Sequence, residues 1–499
     1  MTKDHREPTA GSHREGGLGR IAARGAVVTL SGQGAKIGLQ LLGIAVLARI
    51  LSPADYGLVA MVMVFVSLGE VFRDFGLSAA AVQSPILNRF QRDNLFWANS
   101  AIGMVLMLLG VAISEPVAAF FGEPDVDRIM RILSLAFLLN GVGAQYRASL
   151  TRGMRFLALT GVEVAAQVLG LAVGIILAVR GAGYWALVSV QLVQAIAALV
   201  LLAAVARWRP GRPRRGQDMR HFWVYGSNLV GTQLIGFLTN NVDSLVIGRR
   251  FGAESLGVYD RAYRILMVPL AQIRTPSTTV ALPVLSRLAS DQDRYSQFLV
   301  RGQIALGYSV VAALAFAGGA AYPLVEVFLG SGWSASAPIF ALLSIAGALQ
   351  TLSFVGYWVY LSRGLTRALF QYSLISSTIR VGSVVIGSVW GVMGVAWAVA
   401  LAPALLWPLS LWWLSRVTEL PLRALVLGGL RITAMGMSCA VVVRLIVDQM
   451  AGSPAAVAVA VAGVTAVGYY LVAGLLLEPI RSDELTLVDT VRRARSSSS

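Results

Sequence analysis

Runs of about twenty apolar residues, parted by short polar loops, recur along the whole chain. Wound as an α-helix at ~1.5 Å rise per residue, such a run crosses the ~30 Å hydrocarbon core of a bilayer. The pattern therefore predicts an all-α integral membrane protein with about fourteen transmembrane helices. Six fall at about 27–49, 56–79, 95–113, 129–149, 158–179 and 184–206. Eight follow at about 223–248, 257–281, 301–321, 338–361, 369–389, 392–414, 424–446 and 455–477.

The second set echoes the first. Arg49-Ile-Leu-Ser-Pro-Ala-Asp-Tyr-Gly57 returns 200 positions on as Arg249-Arg-Phe-Gly-Ala-Glu-Ser-Leu-Gly257, with Gln33 matched by Gln233. Leu150-Thr-Arg-Gly153 returns as Leu361-Ser-Arg-Gly364 at an offset of 211, which also carries Gly183 onto Gly394. Ordered matches at nearly one spacing predict two homologous six-helix lobes with two helices appended, and internal repeats in an apolar chain are frequent in transporters. The expected organisation is a disordered cytoplasmic tail over 1–24, a first lobe over 25–207, a cytoplasmic linker over 208–221, a second lobe over 222–416, two additional transmembrane helices over 417–478, and a cytoplasmic tail over 479–499.

Composition agrees with a lipid environment. Hydrophobic residues make up 56% of the chain and charged residues 13%, about half the charge of a soluble domain. The net charge of +16 invites a nucleic-acid reading. The basic residues, however, are spread over short alternate loops and tails without interleaved aromatics, which fits membrane topology and anionic headgroups rather than nucleic acid. Arg89 and Arg92, Arg152 and Arg155, Arg207 to Arg220, Arg363 and Arg367, and Arg416 and Arg423 share one side. Ser114 to Pro124 and Gly330 to Pro338 on the other side lack them. Lys and Arg resist translocation, so both termini are expected in the cytoplasm. The polar start of the chain, without an apolar core, does not read as a cleavable signal peptide.

Little supports catalysis. The lone Cys439 sits in an apolar run, and His5, His13 and His221 lie in the tail or at a loop edge. No metal-ligand spacing or phosphate-binding loop is present. The triplet Asp74-Phe-Gly76 lacks the rest of a kinase signature. No cofactor and no enzymatic activity are expected.

The informative residues are charges inside the spans, which are expensive in hydrocarbon and normally face protein or a wet cavity. Glu70 with Arg73 or Asp74, and Asp260 with Arg264, have the spacing to pair within a helix. Asp260, Arg49, Arg249 and Arg250 are expected at the external interface, where long side chains can snorkel. Lys36, Arg147, Arg274 and Arg380 lie deep in their spans without an adjacent carboxylate and are assigned to a hydrated cavity. Guanidinium groups match phosphate oxygens and keep their charge at physiological pH, so an anionic cargo is expected. Amides such as Asn140, Gln167, Asn240 and Asn241 suit sugar hydroxyls equally well as interhelical hydrogen bonds.

Leu47-Ala-Arg-Ile-Leu-Ser-Pro-Ala-Asp-Tyr-Gly57, Phe72-Arg-Asp-Phe-Gly-Leu77 with Ala81-Val-Gln83, Asn240-Asn-Val-Asp-Ser-Leu-Val-Ile-Gly-Arg249 and Leu256-Gly-Val-Tyr-Asp-Arg-Ala-Tyr-Arg264 resemble Wzx-type polysaccharide flippases. These belong to the multidrug/oligosaccharidyl-lipid/polysaccharide (MOP) exporter superfamily. The resemblance runs from about residue 20 to 480. It implies two six-helix lobes across a central cavity and alternating access. It implies export of undecaprenyl-diphosphate-linked oligosaccharide across the bacterial inner membrane for exopolysaccharide, capsule or O-antigen (lipopolysaccharide) biosynthesis. Polysaccharide polymerase and export machinery are the implied partners. Within that reading Lys36, Arg73, Arg147, Arg274 and Arg380 are candidates for diphosphate or anionic-sugar contacts, and Asp74 and Asp243 for ion coupling. The alternatives are a lipid-linked peptidoglycan precursor flippase, a multidrug exporter of the same superfamily, and a membrane polymerase or ligase.

Overall fold

The computed structural model describes residues 31–74, 77, 88–214, 220–478, 480–481 and 483, with the backbone alone for 74, 220–232 and 273–276. Helix fills each of the fourteen expected segments as far as they are described, and the described residues contain no strand. In chain order the helices are α1 (31–48), α2 (Pro53–Asp74), α3 (Arg89–Ala112), α4 (Ser114–Phe121), α5 (Asp125–Leu133), α6 (Leu135–Arg152), α7 (Phe156–Val179) and α8 (Tyr184–Ala206). They continue as α9 (Arg220–Arg287), α10 (Gln292–Gly319), α11 (Ala321–Leu329), α12 (Ser336–Ser362), α13 (Thr366–Gly387), α14 (Gly391–Ser415), α15 (Leu422–Gln449) and α16 (Ala455–Leu476). Helix α9 supplies two of the expected spans, because its 68 residues break at Gly252, where φ is 79° and ψ is −178°. Among the described residues, ten stretches are long and apolar enough to cross a membrane, and one of them, Thr366–Ser415, holds both α13 and α14. The chain is thus an all-α, multi-pass membrane protein.

The loop expected over 114–124 is mostly helix α4, and α11 stands at the matching place in the second half. Eight or nine residues reach only about 12 to 14 Å, too short to cross. Each ends at a glycine with positive φ, Gly122 at 75° and Gly330 at 95°. The repeat is therefore visible in features that carry no matching letters.

Backbone geometry also corrects the register of the later matches. Helix α6 closes with Arg155 N–H donating to Leu150 O at 2.9 Å, and α12 with Leu365 N–H donating to Tyr360 O at 2.8 Å. The residues in left-handed conformation there are Met154 (φ 50°) and Gly364 (φ 66°), 210 apart rather than 211. Likewise Gly183 (φ 55°) corresponds to Gly391 (φ 78°), not to Gly394. The letter match slips because a glycine was aligned with a glycine, while conformation pairs Gly364 with a methionine. A side chain in this region costs about 1–2 kcal/mol, so Gly364→Ala is expected to destabilise the protein by about that amount, and thermal unfolding in detergent measures it.

Packing divides the chain into two compact units. One holds α1, the end of α2 from Phe65, α3 to α8, and α9 up to Leu234; the other holds Leu51–Val64 and everything from Ile235. In the first, Phe96, Tyr146, Leu150, Val162 and Leu202 form a buried core cluster against which Trp208 packs.

In the second unit the two copies of the opening motif meet. Ser52 and Asp55 form a reciprocal cap: Ser52 N–H and Oγ donate to Asp55 Oδ2 at 2.9 and 2.7 Å, and Asp55 N–H donates to Ser52 Oγ at 3.2 Å. Pro53, first in the helix, has no N–H to leave unsatisfied. One turn later Gly57 lies so close to the other copy that a Cβ would stand 1.6 Å from Ala253 O. A Cβ on Gly257 would stand 1.8 Å from Pro53 O. The contact is reciprocal at the repeat spacing, and absent side chains are what allow backbones to approach this closely.

Candidate functional site

Interior charges collect in three settings. The first is exposed enough to exchange partners. Lys36 on α1 and Arg147 on α6 both face Glu163 on α7. Lys36 Nζ lies 2.8 Å from Glu163 Oε2 and Arg147 Nε 3.6 Å from Oε1. Their side chains are 30%, 41% and 26% exposed, respectively. Gln167, one turn beyond Glu163, donates Nε2–H to Lys36 O at 3.0 Å. Lys36 and Arg147, which have no carboxylate near them in sequence, thus receive a shared one from a third helix. The cluster keeps one net positive charge, and the buried Arg147 Nε makes no hydrogen bond. Ion pairs this open are weak, about 0–1 kcal/mol each, so Glu163 is displaceable by a group that offers both cations more charge.

Arg73 makes its expected pair with Glu70 on α2, and Asn140 on α6 donates Nδ2–H to the other Glu70 oxygen at 3.1 Å. Arg73 is therefore braced across two helices, with its side chain only 12% exposed.

The second setting lies in the other unit. Thr239 on α9 donates its hydroxyl to Ser377 on α13 at 2.7 Å. About one turn along from these stand Asp243 and Arg380. Asp243 is 2% exposed and accepts from Tyr259 Oη at 2.7 Å and from Ser244 N–H at 2.9 Å. Arg380 is within electrostatic reach of Tyr259, and its buried Nε has no hydrogen-bond partner. Counting from the repeat spacings, these groups occupy the helix pair that corresponds to α1 and α7, where Lys36 and Glu163 meet. The remaining candidates, Arg274 and Asp74, lie on helix, but their side chains are outside the described residues.

The third setting is structural. Asp260, expected at the interface, is buried, and its carboxylate binds Arg261 and Arg264, the latter at 2.9 Å. The Arg261 guanidinium lies 4.2 Å over the Tyr56 ring, and Tyr56 packs edge-on against the buried Trp333. Breaking a buried pair by removing one member costs about 3–5 kcal/mol, so this cluster cements the corner around Gly57 and Gly257 rather than exchanging with cargo. Arg431 is likewise committed, at 2.7 Å from the buried Asp483, which also accepts from Tyr308 Oη at 3.0 Å. A separate cavity of about 610 Å³ between α10, α12 and α15 has an apolar lining, with Arg444 among its residues, and contains none of the candidate cations.

Among the described residues no group of three or more His, Cys, Asp or Glu is placed to hold a metal ion. Sequence reading missed Glu163 as the shared counter-ion and Tyr259 as the partner of Asp243. Neither partner pair has helical spacing: Lys36 and Glu163 are 127 residues apart, and Tyr259 is 16 from Asp243 across the Gly252 break.

Comparison with known proteins follows this geometry. The family model described as "Polysaccharide biosynthesis protein" matches residues 46–338. The chain is 27% identical over 464 residues to the succinoglycan biosynthesis transport protein ExoT of Rhizobium meliloti (strain 1021), covering 91% of this chain and 92% of ExoT. It is 24% identical over 362 residues to the lipopolysaccharide biosynthesis protein WzxC of Escherichia coli (strain K12), covering 70% and 72%. Among solved structures, the lipid II flippase MurJ in its inward closed conformation superposes with a TM-score of 0.69 at 15% identity, over 90% of this chain and 97% of MurJ. An inward-facing MATE family multidrug resistance transporter of the MOP superfamily gives 0.62 at 14%, over 80% and 98%. At these identities the two structures share the fold.

Proposed function

From the premise that the chain belongs to the polysaccharide biosynthesis protein family, as a Wzx-type flippase of the MOP superfamily, we propose that it moves undecaprenyl-diphosphate-linked oligosaccharide from the cytoplasmic to the periplasmic leaflet of the bacterial inner membrane. It is a transporter, not a catalyst, and its substrate class is the lipid-linked polysaccharide precursor. Both termini lie in the cytoplasm, and polysaccharide polymerase and export machinery receive the product.

The observation that carries this reading is the half-exposed pair Lys36 and Arg147 with a single carboxylate between them. A diphosphate diester carries two negative charges that hydrocarbon excludes, and a lysine with an arginine supplies two positive ones. Guanidinium adds paired donors in the geometry of phosphate oxygens. Arg73, Arg274 and Arg380 are further candidates for contacts to diphosphate or acidic sugars. The prenyl tail stays in lipid while head group and sugars cross, and access alternates between the two faces. Asp243, buried and bonded to Tyr259, and Asp74 are the residues through which a proton or sodium ion couples. A cationic multidrug cargo is disfavoured by repulsion from the same groups.

The test is the sidedness of the lipid-linked repeat unit after depletion of the protein, read by labelling the glycan with a membrane-impermeant reagent. Repeat units are expected to accumulate out of reach of the label and to become accessible when the wild-type chain is restored. Normal labelling throughout depletion, in a strain without a second exporter, would overturn the reading.

A further inference from the structure

Resting on that reading, we infer that Glu163 sets the charge threshold of the site, admitting a diphosphate and rejecting the monoanionic phosphodiesters that surround the protein in every bilayer.

Two cations open to anions have a selectivity problem. The prenyl diphosphate is scarce, whereas phospholipid head groups with one negative charge are abundant and carry the same phosphate oxygens. A bare Lys36 and Arg147 pair would be occupied by whichever anion is commonest. Glu163 changes the comparison. Its two carboxylate oxygens reach one cation each, at 2.8 Å and 3.6 Å, so it already stands where a phosphate would. A monoanion that displaces it exchanges one negative charge for another, and competes with a group that the fold holds in place. A dianion displaces it and leaves both cations matched. The carboxylate is thus an element set against the wrong ligand as much as one that orders the empty site.

The surroundings fit exchange. The three side chains are about a quarter to two-fifths exposed, so Glu163 has room to turn aside when displaced. Arg147 Nε stands 3.6 Å from Glu163 Oε1 and makes no hydrogen bond, so charge alone ties this guanidinium to Glu163. Gln167 holds the α1 backbone at Lys36 through its carbonyl, while the ammonium itself donates to Glu163 at 2.8 Å. No other carboxylate is present on α1, α6, α7 or α8, so nothing on these helices replaces Glu163.

The experiment uses the full-length protein in nanodiscs of zwitterionic phosphatidylcholine. Two probes that differ by one phosphate and one charge, farnesyl diphosphate–glucose and farnesyl phosphate–glucose, are titrated and their Kd values compared. Wild type is expected to favour the diphosphate by about tenfold or more. Glu163→Gln is expected to tighten the monophosphate by about tenfold and to collapse that ratio, and Glu163→Asp to keep most of it. If Glu163→Gln does not accumulate, Glu163→Ala takes its place and is expected to collapse the ratio in the same way. Should Arg147→Gln weaken the diphosphate while Glu163→Gln and Glu163→Asp leave the ratio unchanged, the threshold is overturned and the diphosphate site stands. If Lys36→Gln and Arg147→Gln both leave diphosphate binding intact, the site itself is wrong and the inference fails with it.

Discussion

Arg147→Ala is expected to lower delivery of lipid-linked repeat units to the outer leaflet by about ten- to a hundredfold, with the protein still present in the membrane at normal level. Hydrogen bonds to charged partners contribute about 1.5–3 kcal/mol each, which converts to that range. The charge balance sharpens the effect: without Arg147, Glu163 and Lys36 form a neutral pair at 2.8 Å, and the cluster loses its net positive charge. Arg147→Lys restores the charge but not the planar, paired donors and should fall between the two. The structural cost is small, because the Arg147–Glu163 contact is long and its side chains are well exposed. Glycan labelling by an impermeant reagent together with membrane abundance reads both halves of the expectation. A fall in labelling matched by a fall in abundance would assign Arg147 to folding instead.

Gly57→Ala and Gly257→Ala are expected to be among the most destabilising small substitutions in the chain, each by more than about 3 kcal/mol. Overpacking a tight interior typically costs about 1–3 kcal/mol when side chains can shift. Here the atoms in the way are backbone carbonyls, at 1.6 Å and 1.8 Å from the new methyl, and no rotamer change moves them. The two copies must separate, which also pulls on the stack of Arg261, Tyr56 and Trp333. The double variant should cost much less than the sum of the singles, since one separation relieves both clashes. Thermal unfolding of the detergent-solubilised protein tests the magnitude and the non-additivity. Single variants with wild-type melting temperatures would show that the crossing is looser than described.

The spans were legible because twenty apolar residues are a local property, and the helices fall where the runs are. The short helices α4 and α11 were not, since eight or nine residues between spans read equally as loop. The repeat was legible at Gly57 and Gly257, yet similarity of letters carries no sign that the similar segments touch. The site was half legible. Lys36, Arg73, Arg147 and Arg380 stood out as cations in apolar runs, and the Arg73–Glu70 and Arg264–Asp260 pairs followed from helical spacing. Glu163 and Asp483 were not recognised as counter-ions, because their partners come from other helices and no periodicity links them. That Asp260 would be buried and also bind Arg261, whose guanidinium lies over Tyr56, had no signal in the sequence.

The crossing of Gly57 over Ala253 and Gly257 over Pro53 has the form of an isologous interface, in which position i of one copy meets position j of the other and the reverse. Two identical six-helix chains meeting about a two-fold axis would make the same contact. In such a pair any substitution at the glycine would strike twice, and drift there would be doubly punished. With both copies in one chain each side is free to vary separately, and Ser52, Pro53 and Asp55 stand in the first copy where Gly252, Ala253 and Ser255 stand in the second. The two glycines are where that freedom has not been used.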